Sequence, residues 1–152
     1  MTFTKRFVSG VAFVSVAVWA SQAHAQLGVG TWVRTDAHAN GITMTVEACC
    51  SGGLRLIYHL PGAAGQPPVS LSVDSPMDGT EVPAMMGGKP SGQTMAIKRV
   101  DDRHYTAALK MGGQPFGTSN ATLSADGKTM TVETLSQMSA TAEKVIETWV
   151  RK

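Results

Sequence analysis

Thr31-Trp32-Val33-Arg34 stands near the start of the chain and returns as Thr148-Trp149-Val150-Arg151 at its end. Both copies carry β-branched and aromatic residues that suit a pleated, half-buried strand. Between them the sequence breaks into short alternating stretches separated by Gly, Pro, Asp and Ser. Ile42, Met44, Val46 and Ala48 fall on one face of such a stretch, and Thr43, Thr45 and Glu47 on the other. Leu54, Leu56, Tyr58 and Leu60 alternate with Arg55 and His59. Tyr105, Ala107, Leu109 and Met111 alternate with His104, Thr106 and Lys110, and Met130 and Val132 with Thr129, Thr131 and Glu133. Ten strands are predicted, over roughly 29–36, 42–48, 54–60, 68–74, 80–85, 93–100, 103–111, 115–124, 128–135 and 143–151.

The links carry turn chemistry. Asn40-Gly41, Asp78-Gly79, Gly112-Gly113 and Asp126-Gly127 supply residues that tolerate positive φ, and Ser51-Gly52-Gly53 and Asp101-Asp102 do similar work. Links this short force neighbouring strands to pair antiparallel. The expectation is an all-β fold, an antiparallel up-and-down barrel of about eight to ten strands whose first and last strands close on each other. Two stretches, 61–68 and 85–92, are longer and Gly/Pro-rich, and are expected to be mobile lids over one end. The segment 136–142 reads as a loop or short helical turn. Leu135, Met138, Ala142, Val145, Ile146 and Trp149 also fit a helical spacing, so an end-capping helix is the alternative.

Residues 1–25 have the pattern of a secretory signal peptide: Lys5 and Arg6, an apolar run from Phe7 to Trp19, and a small-x-small site at Ala23-His24-Ala25. The apolar run is shorter than the ~20 residues that span a bilayer. The reading is therefore an exported chain, periplasmic or extracellular in a Gram-negative bacterium, and not membrane-integral once the signal is removed. Removing 25 of the 152 residues leaves 127, one domain over 26–152 and long enough to bury a core. Lys5 and Arg6 leave with the signal, so 13 basic against 11 acidic residues become 11 against 11. A neutral, mixed chain argues against nucleic acid as a partner. A monomer is expected.

Gly30-Thr31-Trp32 resembles the Gly-x-Trp signature on the first strand of lipocalins. In that family the Trp packs at the closed end of the barrel with a basic residue from a late strand across its ring. The resemblance implies that part for Arg151 or Arg34, as a cation–π and hydrogen-bonding cap. Lys98-Arg99-Val100-Asp101-Asp102-Arg103 and Ser124-Ala125-Asp126-Gly127-Lys128-Thr129-Met130-Thr131-Val132 further resemble hairpins of a group of uncharacterised secreted bacterial lipocalin-like proteins. The likeness spans most of 28–152. It implies a small β-barrel, with Trp32, Trp149 and Arg151 at its closure, and no activity. The adjacent cysteines depart from that pattern.

Cys49 and Cys50 are the only cysteines. Export favours disulfides, while adjacent side chains in a strand normally point apart. A vicinal disulfide, two free thiols and an intermolecular bridge all remain open. Nine methionines and His38, His59 and His104 are soft donors. No Met-x-x-Met, His-x-His or Cys-x-x-Cys spacing organises them, so they read as core or pocket lining. Asp101-Asp102-Arg103-His104 gathers titratable groups, but the simpler reading is a polar hairpin tip. There is no Gly-x-Ser-x-Gly elbow and no phosphate-cradling loop in a strand–helix context. The reading names no catalytic residue, no metal and no cofactor.

The inside of a barrel is where function is sought. The candidate lining is Met44, Val46, Leu56, Tyr58, Met95, Ile97, Tyr105, Leu109 and Met130, with the tyrosine hydroxyls able to fix a ligand's polar end. The expected function is binding of a hydrophobic or amphipathic small molecule. The alternatives are a ligand-free envelope or protein-interaction domain and, third, an enzyme using the barrel pocket.

Overall fold

The computed structural model describes residues 27–137 and 141–152. The expected signal peptide at 1–25, the chain start at Gln26 and the middle of the 136–142 link lie outside the described residues. The described chain is a closed antiparallel barrel of ten strands: β1 (Gly30–Arg34), β2 (Thr43–Cys49), β3 (Gly53–Leu60), β4 (Val69–Ser75), β5 (Asp78–Met86), β6 (Lys89–Arg99), β7 (His104–Met111), β8 (Gln114–Leu123), β9 (Thr129–Ser136) and β10 (Glu143–Arg151). Each strand pairs with its neighbour in sequence, and β1 closes on β10. Sequential pairing follows from the short links, and closure removes the exposed sheet edges.

The repeated tetrapeptide makes the seam. It pairs with itself antiparallel: Trp32 opposite Arg151, Val33 opposite Val150, Arg34 opposite Trp149. Each Trp thus faces the Arg of the other copy. The register sets the two arginines two residues apart along the seam, Arg151 bonded to Val29 at the chain entry and Arg34 on the cavity side of the Trp pair.

One end is closed. Trp32, Val46, Val73, Ser75 and Leu123 are essentially inaccessible and form its floor. Leu27 enters from below, and its backbone N–H donates to the Tyr105 hydroxyl at 3.0 Å. Met77 folds in from the β4–β5 turn, and its N–H donates to Ser75 Oγ at 3.1 Å, satisfying that buried hydroxyl. Arg151 clamps the entry of the chain: Nη2 donates to Val29 O at 2.6 Å. A Cβ on Gly28 would stand 2.8 Å from Arg151 Nη1, and Gly30 holds φ at +143°. The first glycine of Gly-x-Trp is therefore required by backbone conformation. Among the described residues Trp32 Nε1 has no hydrogen-bond partner, and Arg151 makes its hydrogen bond on the Val29 carbonyl instead. Arg34 does not cap the floor; it lies on the cavity wall.

Among the described residues, the other end carries the links 35–42, 61–68, 87–88 and 112–113. Two expectations fail here. The stretch 85–92 is no lid: Met85 and Met86 finish β5, Lys89 to Gly92 begin β6, and only Gly87-Gly88 turns the chain. Their φ values of +55° and +80° fit a tight hairpin whose twist matches the strands. Pro83 and Pro90 are accommodated because the β5–β6 register shifts between Pro83 and Met85. The end-capping helix also fails from Glu143 onward, where β10 pairs with β9 over eight positions. Inter-strand pairing outcompetes the helical spacing of Val145, Ile146 and Trp149, two of which are β-branched.

Candidate binding cavity

Residues of nine strands, all but β5, wall a cavity of about 280 Å³ above the floor. Met44, Leu56, Tyr58, Met95, Ile97, Tyr105, Leu109 and Met130 all stand on its wall, whereas Val46 does not. Val46 pairs with Gly30 and Leu56 near the closed end and is sealed within the floor. Alternation placed it on the inner face correctly but says nothing of height along the strand. Small side chains keep the space open: Ala107 and Ser119 are cross-strand partners, as are Tyr105 and Ala121, and all line the cavity. Ser119 Oγ and Thr134 Oγ1 satisfy each other at 2.7 Å.

Toward the mouth the wall turns polar. Arg34 Nε donates to Asp36 Oδ2 at 2.6 Å, and Nη2 to Asp36 Oδ1 at 3.0 Å. Nη1 reaches Glu147 Oε1 at 3.0 Å. The Trp149 indole donates to Glu147 Oε2 at 3.0 Å. Asp36 also accepts from the backbone N–H of His38 at 3.0 Å and Thr148 at 3.3 Å. The side chains of Arg34, Asp36 and Glu147 are 10%, 14% and 24% exposed. The Arg34 hydrogen bonds hold the Asp36 carboxyl well below the usual carboxylate range, against an opposing effect of burial. The Arg34 guanidinium is raised by the same pairing.

Tyr58 stands beside this group, its ring edge-on to Trp149 with centroids 6.0 Å apart and planes at 70°. It lines the cavity. Burial first, and the Glu147 carboxylate second, push its hydroxyl up to about 12. It is a neutral phenol at physiological pH, and among the described residues its hydroxyl has no protein partner. Tyr105 differs, since its hydroxyl is used to hold Leu27.

The sequence reading missed Arg34, Asp36 and Glu147 as cavity residues. A signal existed for Glu147: it shares an alternating face of β10 with Val145 and Trp149, a carboxylate between two apolar residues. None existed for Asp36, which reaches the mouth from the link after β1. The remaining candidates lie elsewhere. Cys49 and Cys50 are joined by a disulfide in the β2–β3 turn at the closed end. Asp101 serves the β6–β7 turn: Oδ1 accepts from the N–H of Arg103 at 2.8 Å and of His104 at 2.9 Å. His104 Nδ1 and Asp101 are 2.8 Å apart but exposed to solvent, and neither lines the cavity. His59 lies outside the barrel against Thr45 Oγ1 at 3.0 Å. Among the described residues no group of three or more His, Cys, Asp or Glu is placed to hold a metal ion. No known family model matches the sequence, and no curated protein or solved structure is significantly similar to it.

Proposed function

We propose that this chain is an exported barrel that binds a small apolar or amphipathic molecule in its interior. The observation that carries the reading is the cavity itself: a space of about 280 Å³, walled by apolar side chains, closed below and bordered by polar groups at the mouth. That volume sits at the lower edge of the ~300–1,000 Å³ usual for small-molecule sites. Each Å² of apolar ligand surface removed from water would contribute about 25 cal/mol. Export is supported by the Lys5-Arg6, apolar-run and Ala23-His24-Ala25 pattern. An aqueous surrounding is supported by the outer face, where Arg55 pairs with Asp74, and Lys110 with Glu81. Apolar inside and charged outside is the inverse of a membrane-spanning barrel. The Gly-x-Trp start and the two hairpin motifs support kinship with secreted lipocalin-like proteins.

The test is fluorescence titration of the processed protein with N-phenyl-1-naphthylamine, a neutral apolar dye, against an Ala107→Phe variant that fills the cavity. Saturable binding that weakens at least ~10-fold in the variant, with unchanged circular dichroism, is the expected result. No dye binding, or equal binding by both proteins, would refute the reading. A protein-interaction domain is the second reading. It is favoured by the outward stripe of Ile146 and Val150 on β10, both exposed, with Val33 beside Val150 on β1.

A further inference from the structure

We infer that the mouth of the cavity selects a cationic head group, so that the ligand is an amine with an apolar body. The inference rests on the cavity-binding reading above and adds the chemical class of the ligand.

The charges at the mouth do not cancel. Arg34 carries one positive charge, and Asp36 and Glu147 one negative charge each. Arg34 spends its bidentate edge on Asp36, with two contacts of 2.6 and 3.0 Å. Asp36 in turn accepts from four N–H donors, those of Arg34 and the backbone of His38 and Thr148. Its acceptor capacity is filled. Glu147 accepts one hydrogen bond, from Trp149 Nε1, and forms an ion pair with Arg34 Nη1 at 3.0 Å. A carboxylate offers about four lone-pair sites, so Glu147 retains acceptor capacity on the cavity wall. It is also the carboxylate that Arg34 leaves least neutralised.

The groups around Glu147 suit a cation. The Tyr58 hydroxyl oxygen has no partner among the described residues and can accept one ammonium N–H while Glu147 accepts another. The Tyr58 and Trp149 rings meet edge to face beside them, and aromatic faces attract cations most strongly where water is excluded. A carboxylate ligand would instead face the surplus negative charge at low local dielectric, with Arg34 already held between two carboxylates. A neutral alcohol would gain hydrogen bonds but no charge pairing.

The test is calorimetric titration at pH 7 with probes that share a body and differ in head group: tryptamine, indole-3-ethanol and indole-3-acetate, then octylamine, octanol and octanoate. The expected result is an ammonium bound at least ~10-fold tighter than its alcohol, with the carboxylate weakest. Glu147→Gln keeps the shape and the Trp149 acceptor, and should collapse the amine-over-alcohol ratio to within about twofold. Tyr58→Phe should weaken the amine several-fold. The ranking in the unmodified protein needs no variant to fold. Equal binding of the three head groups, or preference for the carboxylate, overturns the inference while the neutral dye still reports a binding cavity. If neither dye nor any probe binds, the cavity reading falls and the inference with it.

Discussion

Gly53 shows how a residue acts through what it lacks. Its φ is an ordinary −83°, so conformational freedom is not its role. A Cβ there would stand 2.2 Å from the Ser75 carbonyl oxygen and 2.8 Å from Pro76 Cα. Gly53→Ala should therefore force β3 from β4 and cost about 2–3 kcal/mol, measured by urea denaturation. Asp36 acts through its bonds. Asp36→Asn leaves Arg34 facing Glu147 alone and should cost ~2 kcal/mol, at the low end for a broken buried pair because the mouth is partly wetted. The pH dependence has the matching sign. A carboxyl depressed in the folded state adds stability above its unfolded pKa of ~4, and that stability drains away as pH falls below it. The Asn variant should lack this part of the acid loss. Tyr58 has the opposite sense. Its hydroxyl is raised to about 12 in the folded state, so the unfolded chain releases the proton first, near pH 10. Stability should fall between pH 10 and about 12, by up to about 1.4 kcal/mol per pH unit. Tyr58→Phe should remove that portion of the slope.

At the scale of elements, the β2–β3 hairpin carries the disulfide yet does not depend on it. Seven paired positions, from Thr43 opposite His59 to Cys49 opposite Gly53, fix its register. The turn uses Cys50 and Ser51 at positive φ. Joining neighbours closes the smallest possible loop, and the entropy removed from the unfolded chain is correspondingly small, about 1 kcal/mol. The Cys49→Ser/Cys50→Ser protein should lose no more than ~1.5 kcal/mol and bind the neutral dye within twofold of the parent. A loss above 3 kcal/mol would show that the bond governs the hairpin. The β5–β6 hairpin shows the reverse economy: local chemistry decides it. Gly87-Gly88 turns the chain without help, and the composition that suggested a loose loop is that of a tight turn between strands irregular enough to hold two prolines.

For the whole molecule, closure is the weakest part of the ladder. β1 pairs with β10 at three positions and β4 with β5 at three, against eight between β7 and β8 or β9 and β10. Local opening should begin where pairing is shortest. Native-state hydrogen exchange is expected to show the β1 and β4–β5 amides exchanging well before those of β7 and β8. A ligand bridging β3 and β10 across the mouth should slow the seam in particular.

The strands and their sequential order follow from the sequence, because a period of two and short links leave a chain few other ways to bury its apolar residues, while which face of each strand turns inward is fixed by the register of the closed barrel. Eight of nine candidate residues stand on the cavity wall for that reason, and Val46 does not because alternation carries no information on depth. Closure was legible in the repeat of Thr-Trp-Val-Arg. What the repeat does was not: only the antiparallel register sends Arg151 to clamp the floor and Arg34 to the mouth. The Arg34–Asp36–Glu147 group joins residues from β1, a link and β10, up to 113 positions apart. Such a group exists only after the seam has formed. Its surplus charge, its depressed carboxyl and the Tyr58 hydroxyl beside it are properties of the tertiary structure, because burial and proximity, not composition, set them.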